Sequence, residues 1–444
     1  MHIASLAGKS ICILGYGREG RAMAAALERL APGCQITIAD KDPMISVPKY
    51  NAQLGKDWKA NLDRFDTVIK SPGISPQELA SVSIQTLSTS TQIFFDSIVG
   101  SGATIIGVTG SKGKSTVASL TAAILKAAKF DVDLIGNIGE PAVAHIETAR
   151  KNKFFVQEIS SYQLADLPVS PPIAVVTSFF PEHLDYHGSL EAYLEAKKHI
   201  CRFQGKNDMV IFNASSPGAA AIAAESESRK LPYDASDAPV ALGETHLIGI
   251  HNLFNIAAAW RVAEALGVHK RIAVQAITEF QGLPHRLQSL GITSGAEWVD
   301  DAISTTPEST IAALDALSER VTCLLLGGQD RGLDFTSLGR RIAQSNIALV
   351  LLFPGSGPRI RSAIEATKAN VECIDVDSME SAVSIARKKL QAKKTSEGAG
   401  LVGPAPAGLN IVLLSPASPS YGMYKNFEEK GDDFRRKAGI GTRN

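Results

Sequence analysis

The sequence predicts an α/β protein of three domains, each built on a mostly parallel sheet. Three observations carry this. Short apolar runs alternate with helix-like stretches throughout, the pattern of strands crossing over through helices. The succession occurs three times in 444 residues, a length beyond one ordinary core. Glycine-rich turns directly follow the first strand of the first two blocks, where a helix N-terminus can meet phosphate.

In order, the first block has strands at residues 11–14, 36–39 and 67–69, with an Ala-rich helix over 21–30. The second has strands at 104–108, 154–156, 173–176 and 209–212. The third opens near Trp298 and Val299 and carries strands at 321–326, 348–353 and 411–414. Domain boundaries are expected near residues 95 and 286, giving domains 1–95, 96–286 and 287–444. Residues 393–408, rich in Gly, Pro and Ala, read as a mobile surface loop before the last strand, with no chemistry assigned.

Apolar residues make up 45% and charged residues 20%, a globular composition. Lys plus Arg equals Asp plus Glu at 45 each, so no global field favours nucleic acid or a membrane surface, and an anionic ligand must be met locally. Five cysteines without a C-x-x-C pair argue against a disulfide framework or structural zinc and for a reducing compartment. With no export signal or long apolar run evident, a cytoplasmic protein is expected.

The first strand runs into GYGREG at residues 15–20, a G-x-G-x-x-G, and Asp40 follows at the end of the next strand. Gly15, Gly17 and Gly20 would let the backbone approach a pyrophosphate at a helix N-terminus. A plain strand-to-helix turn, an NAD site and a UDP-sugar site all satisfy this spacing. Arg18 is unusual for an NAD loop, where small residues are common, and could pair with phosphate.

The strand at 104–108 feeds TGSKGKST, residues 109–116, and a helix follows. This is the context of a P-loop: backbone amides from Gly110, Ser111, Lys112 and Gly113 wrap phosphate, Lys114 neutralises β/γ charge, and Ser115 places a hydroxyl on Mg²⁺ beside Thr116. Val108 stands where the strict motif has its first glycine.

That variant resembles the ATP loop of the Mur ligases of peptidoglycan synthesis. Other stretches resemble the family in chain order: NIG at 137–139, QEISSYQL at 157–164, HLDYHG at 183–188, EAYLEAK at 191–197, HNLFN at 251–255, GLPHR at 282–286, LLSPAS at 413–418 and KNF at 425–427. The likeness spans essentially the whole chain. It implies a Rossmann-like N-terminal domain, a central P-loop ATPase domain and a Rossmann-like C-terminal domain. The expected reaction is ATP-dependent addition of D-glutamate to UDP-N-acetylmuramoyl-L-alanine through an acyl phosphate, by a monomer.

The resemblance also implies residue roles. Lys114, His183 and Lys197 are the expected catalytic residues. Ser115 and Glu158 are expected on one Mg²⁺ and His183 on a second, with Lys197 carbamylated into a metal-binding carboxylate. Asn252, Asn255, Arg286 and Asp301 are expected around ATP. Residues 15–20, with Tyr16 and Arg18, would hold the UDP pyrophosphate; Asp40 and Lys41 would lie near uridine, and Ser71, Pro72, Gly73 and Asn137 would complete the site. Thr305, Arg331, Ser420 and Phe427 are expected to clasp glutamate. Ile303 and Arg331 replace lysines of the better-known members, which keeps L-glutamate or another amino acid open as the substrate. An NAD-dependent oxidoreductase leaves the P-loop and HLDYHG without a role. A non-catalytic nucleotide-binding regulator needs no metal set.

Overall fold

The computed structural model describes residues 1–396 and 410–440. Three sheets carry the chain. The first, in the order β3-β2-β1-β4-β5, is parallel throughout, with β1 Ser10–Leu14, β2 Gln35–Asp40, β3 Asn51–Leu54, β4 Thr67–Lys70 and β5 Leu87–Thr89. Its strands are apolar on both faces: Ile11, Ile13, Ile36, Ile38 and Ile69 fill one core, Cys12, Leu14, Ala39 and Val68 the other. Strand side chains alternate, so such a sheet needs cover on both sides.

The second sheet is also parallel, in the order β11-β10-β9-β6-β8-β7. Its strands are β6 Thr104–Thr109, β7 Asp131–Gly136, β8 Lys153–Glu158, β9 Ile173–Val176, β10 Met209–Asn213 and β11 Arg229–Tyr233. The third runs β12-β13-β17-β14-β15-β16, with β12 Gln288–Thr293, β13 Ala296–Asp300, β14 Val321–Leu326, β15 Leu349–Leu352, β16 Glu372–Asp375 and β17 Ile411–Leu414. Only β12 is antiparallel there, joined to β13 with a register shift between Ser289 and Gly291. Alternation again splits the core, with Leu324, Leu326, Val350 and Leu413 on one face and Cys323, Leu325, Leu351 and Leu414 on the other.

The three-domain α/β architecture expected from the alternation is therefore present. The chain packs as two compact units, Met1–Ala241 with Leu253–Thr278, and Leu242–Asn252 with Glu279–Asn444. The first unit contains two of the sheets. Strands β3, β5, β7, β11, β12 and β16 went unread in the sequence; most are short or lie at an edge with polar residues or Pro232, so they lack the apolar signature of a buried strand. One expectation is corrected: residues 393–396 are not loop but the end of helix Met379–Ser396. Lys, Arg, Leu and Ala favour helix up to that point, and no breaker precedes Gly398. The remainder of the expected loop, from residue 397, lies outside the described residues.

Candidate active site

β6 ends at Thr109, and helix Lys114–Ala127 begins after Gly113, whose φ is 87°. The intervening loop is fixed from outside. Ser111 N–H donates to the Ser178 carbonyl at 2.9 Å, and Lys112 N–H to Ser178 Oγ at 2.9 Å. The Thr177 hydroxyl donates to the Lys112 carbonyl at 2.6 Å. Gly110 has φ 148°, and a Cβ there would lie 1.9 Å from Thr177 Oγ1. A Cβ at Gly113 would lie 2.4 Å from Asn255 Oδ1, which seats Asn255 directly against the loop. Ser115 is buried in the first turn of the helix and Thr116 half-buried beside it.

Two lysine amino groups meet at one carbonyl. Lys114 Nζ and Lys197 Nζ each donate to Gly110 O at 2.9 Å, and Lys114 also donates to Ser111 O at 2.8 Å. Lys197, on helix Leu190–Lys198, is 1% exposed. Burial drives its basicity well below the ordinary lysine value, Lys114 pushes the same way, and Glu182 and Glu158 oppose. Glu158, at the end of β8, is itself buried. Lys198, adjacent in sequence, instead forms ion pairs with Glu195 and Glu225.

His183 has φ 57°, an uncommon conformation for a residue with a side chain. Its Nδ1 lies 3.0 Å from the Tyr162 hydroxyl. Loss of hydration lowers its basicity, with Lys114 and Lys197 adding to this against Glu182. Among the described residues no group of three or more His, Cys, Asp and Glu side chains is arranged to hold a metal ion.

The first glycine loop and residues 71–73 are joined. Ser71 Oγ donates to the Gly15 carbonyl at 2.9 Å, and Ser71 N–H to the Leu14 carbonyl at 2.9 Å. A Cβ at Gly20 would lie 2.1 Å from Gly15 O, so helix Arg18–Leu30 can start here only with glycine. Asp40 accepts from Tyr16 N–H at 2.7 Å and from Asp42 N–H at 2.9 Å, bracing the loop. Lys41 is exposed. Arg18, read from the sequence as able to pair with phosphate, donates here to three carbonyls: Gly136 at 2.7 Å, Asn137 at 2.9 Å and Gly139 at 3.1 Å. It ties the glycine loop to the exposed Asn137 segment, because this long guanidinium finds acceptors already in place.

In the second unit, Asn252 donates to the Ile248 carbonyl at 2.8 Å. His285, with φ 60°, is buried against Asp300 at 2.7 Å, while Arg286 is exposed. Burial lowers His285, but the hydrogen bond and charge of Asp300 outweigh it and raise the basicity. Asp301 accepts from Ser415 Oγ at 2.8 Å and Leu287 N–H at 3.2 Å, and burial pushes its carboxyl up to about 7. Half-buried Ile303 donates its N–H to the His285 carbonyl, and Thr305 follows, also half-buried. Arg331 is exposed, its guanidinium 5.9 Å from the Tyr421 ring centre. Phe427 packs edge-on to His285 at 6.0 Å. Ser420 is 4% exposed, and its hydroxyl has no hydrogen-bond partner among the described residues.

The sequence reading left Tyr162, Tyr193, Ser178 and Lys70 without roles. Tyr193 shares a 2.9 Å hydrogen bond with Ser111 Oγ. Tyr162 and Tyr193 stand inside the motif strings, which was the available signal; Ser178 and Lys70 act on partners remote in sequence. An open depression of about 630 Å³ beside Glu28, Cys34, Lys49 and Tyr50 contains none of the candidate residues. Among the described residues no helix is long and apolar enough to cross a membrane.

Comparison with known proteins agrees with this layout. The model described as Mur ligase middle domain matches residues 108–242, and the Mur ligase, glutamate ligase domain matches residues 285–396. The UDP-N-acetylmuramoyl-L-alanine--L-glutamate ligase of Xanthomonas axonopodis pv. citri (strain 306) is 32% identical over 470 residues, covering 99% of this chain and 97% of the relative. The enzyme of that name from Salinispora tropica is 32% identical over 464 residues, covering 98% of each. Among solved structures, the UDP-N-acetylmuramate-alanine ligase of Thermotoga maritima superimposes with a TM-score of 0.59 at 15% identity, over 97% of this chain and 99% of that one. The UDP-N-acetylmuramoylalanyl-D-glutamyl-2,6-diaminopimelate--D-alanyl-D-alanyl ligase of Acinetobacter baumannii gives 0.58 at 15% identity, over 97% and 90%. With the phosphate loop, the two glycine-motif lobes and full-length relatives in agreement, the chain belongs to the Mur ligase family of ATP-dependent amide ligases.

Proposed function

We propose that this ligase adds L-glutamate to UDP-N-acetylmuramoyl-L-alanine. Its family chemistry is ATP-dependent amide formation, adding glutamate to a UDP-N-acetylmuramoyl precursor. The isomer rests on one observation: the relatives matching about the full chain carry the name L-glutamate ligase. Those names favour L-glutamate over the D-glutamate expected from sequence. Ile303 and Arg331, the departures from the better-known members, lie in the domain read as the amino-acid site, in keeping with a changed stereochemical demand. We assign residues 1–95 to the nucleotide sugar, 96–286 to ATP and 287–444 to glutamate. The oxidoreductase alternative loses its footing, since the chain belongs to a family of ATP-dependent ligases.

The residues present fit ATP and Mg²⁺. Backbone amides of residues 110–113 and the Lys114 ammonium would take phosphate, the ammonium leaving the Gly110 and Ser111 carbonyls for it. Ser115, Glu158 and His183 would donate to metal, and the bound ions would screen the two anions that meet when a carboxylate is phosphorylated. A carbamate on Lys197 would add a carboxylate to that donor set: burial lowers the basicity of this lysine, which favours the free amine that attacks CO₂ with release of one proton, and its Nζ shares the Gly110 carbonyl with Lys114. Ser420 fits glutamate for a parallel reason. Its buried hydroxyl lacks a partner, and a substrate carboxylate would provide one.

The isomer is tested by ADP release with UDP-N-acetylmuramoyl-L-alanine and each glutamate enantiomer. Turnover with L-glutamate well above that with D-glutamate is expected. The reverse order overturns the assignment.

A further inference from the structure

His183 introduces the one-turn helix Leu184–His187, which ends at Gly188 with φ 81°. It is exposed, and its backbone is left-handed. A four-residue helix does little to orient an imidazole at its mouth. Side-chain contacts do so instead. The Tyr162 hydroxyl lies 3.0 Å from His183 Nδ1, and the two rings meet edge-to-face at 5.1 Å. Tyr162 is itself held. Its ring stacks on Tyr186 with centres 3.9 Å apart and planes 22° apart, and its helix starts at a capping box formed by Ser160 and Gln163.

Tyr186 continues the chain of contacts. It is buried, and its hydroxyl donates to the carbonyls of Pro72 at 2.8 Å and Ile74 at 3.1 Å. The same Ile74 carbonyl accepts from Lys70 Nζ at 2.7 Å. The loop assigned to the nucleotide sugar is thus joined through two tyrosines to the imidazole assigned to the metal.

We propose that Tyr162 is the positioning residue for His183, and that Tyr186 ties this orientation to the loop at residues 71–74. With Nδ1–H donating to the Tyr162 oxygen, Nε2 keeps its lone pair and faces away as the metal donor. Ligating histidines take their tautomer and ring angle from the partner of the other nitrogen, and loss of such a partner costs about 10- to 100-fold in metal affinity or activity. The inference rests on the reading of His183 as a ligand.

The test measures Mn²⁺ affinity of the full chain with ADP present, from the free-ion EPR signal. Tyr162→Phe removes one oxygen atom and keeps the stack. An about 10-fold or greater loss of Mn²⁺ affinity with unchanged melting temperature is expected; wild-type affinity overturns the positioning role. His183→Ala separates the two readings. If it too leaves Mn²⁺ binding unchanged, the ligand assignment itself fails; if it alone weakens binding, only the role of Tyr162 fails. Tyr186→Phe keeps the bond to His183 and loses the carbonyl contacts. UDP-N-acetylmuramoyl-L-alanine is expected to tighten Mn²⁺ binding in the wild-type protein and not in Tyr186→Phe. Equal tightening in both, or none in the wild type, overturns the tie to the loop.

Discussion

Ser420 and Lys197 both bury polar groups at a cost, and the cost points to ligands. An unpaired buried hydroxyl forfeits about 1–3 kcal/mol, so the Ser420 environment is poorly designed for the free protein and well designed for a bound carboxylate. On the proposed glutamate role, Ser420→Ala should raise KM for glutamate about tenfold or more, the worth of a hydrogen bond to a charged group. KM for ATP should stay unchanged in the same steady-state assay. Residues of the phosphate loop were legible in the sequence because their demands are local: Gly110 and Gly113 need conformations a side chain forbids, and Lys114 opens the helix. Arg18 was not legible. The carbonyls it bonds lie 118 to 121 residues away, and no local pattern encodes them. Tyr162 and Tyr186 were visible as letters in recognised strings, but their stacking exists only after folding.

At the scale of elements, helix Phe427–Lys437 is pinned to the end of β14 by Lys430, whose Nζ donates to the Gly327 carbonyl at 2.6 Å and sits 4.6 Å from the centre of the Phe353 ring. Burial pushes this lysine down to about 7. The unfolded chain keeps the proton up to about 10.4, so the folded chain binds fewer protons between those values and gains stability as pH rises through that window. Below pH 7 the cost of burying the charge is borne in full. Urea midpoints at pH 7 and pH 9 should therefore rise for the wild-type protein relative to Lys430→Met; parallel behaviour would show the amine to be solvated. Acidic Glu428 and Glu429 in its first turn and basic residues in its last complement the helix dipole. The buried lysine was not legible in the sequence, since a lysine amid charged neighbours reads as a solvated face.

Across the whole molecule, the first two sheets belong to one compact unit; one apolar core runs through both, with Phe94 edge-on to Phe155 at 5.3 Å, and ion pairs and hydrogen bonds join them as well. Lys70, 1% exposed, pairs with Asp166 at 2.6 Å; Arg29 pairs with Glu147 on the surface; Arg18 spans to residues 136–139. Removing one partner of a buried pair costs about 3–5 kcal/mol, and because Asp166 is partly hydrated, Lys70→Met should fall at the low end of that range in equilibrium urea unfolding. Arg29→Ala should change the midpoint little, as exposed pairs do. The fold class was readable because binary patterning repeats within each lobe, whereas a pair such as Lys70 and Asp166 joins residues that no local pattern links. Three open sheets also present six edges on which a foreign strand could pair. β5 is only three residues long, β7 displays Asp131 and Asp133, β11 carries Arg229, Lys230 and Pro232, β12 shifts register beside Gly291, and β16 begins with Glu372 clasped by Lys389. Short length, charge, proline and irregular register are the means by which exposed edges discourage intermolecular pairing. The features that hid these strands from the sequence reading are thus the ones that keep a near-neutral chain from assembling into larger sheets.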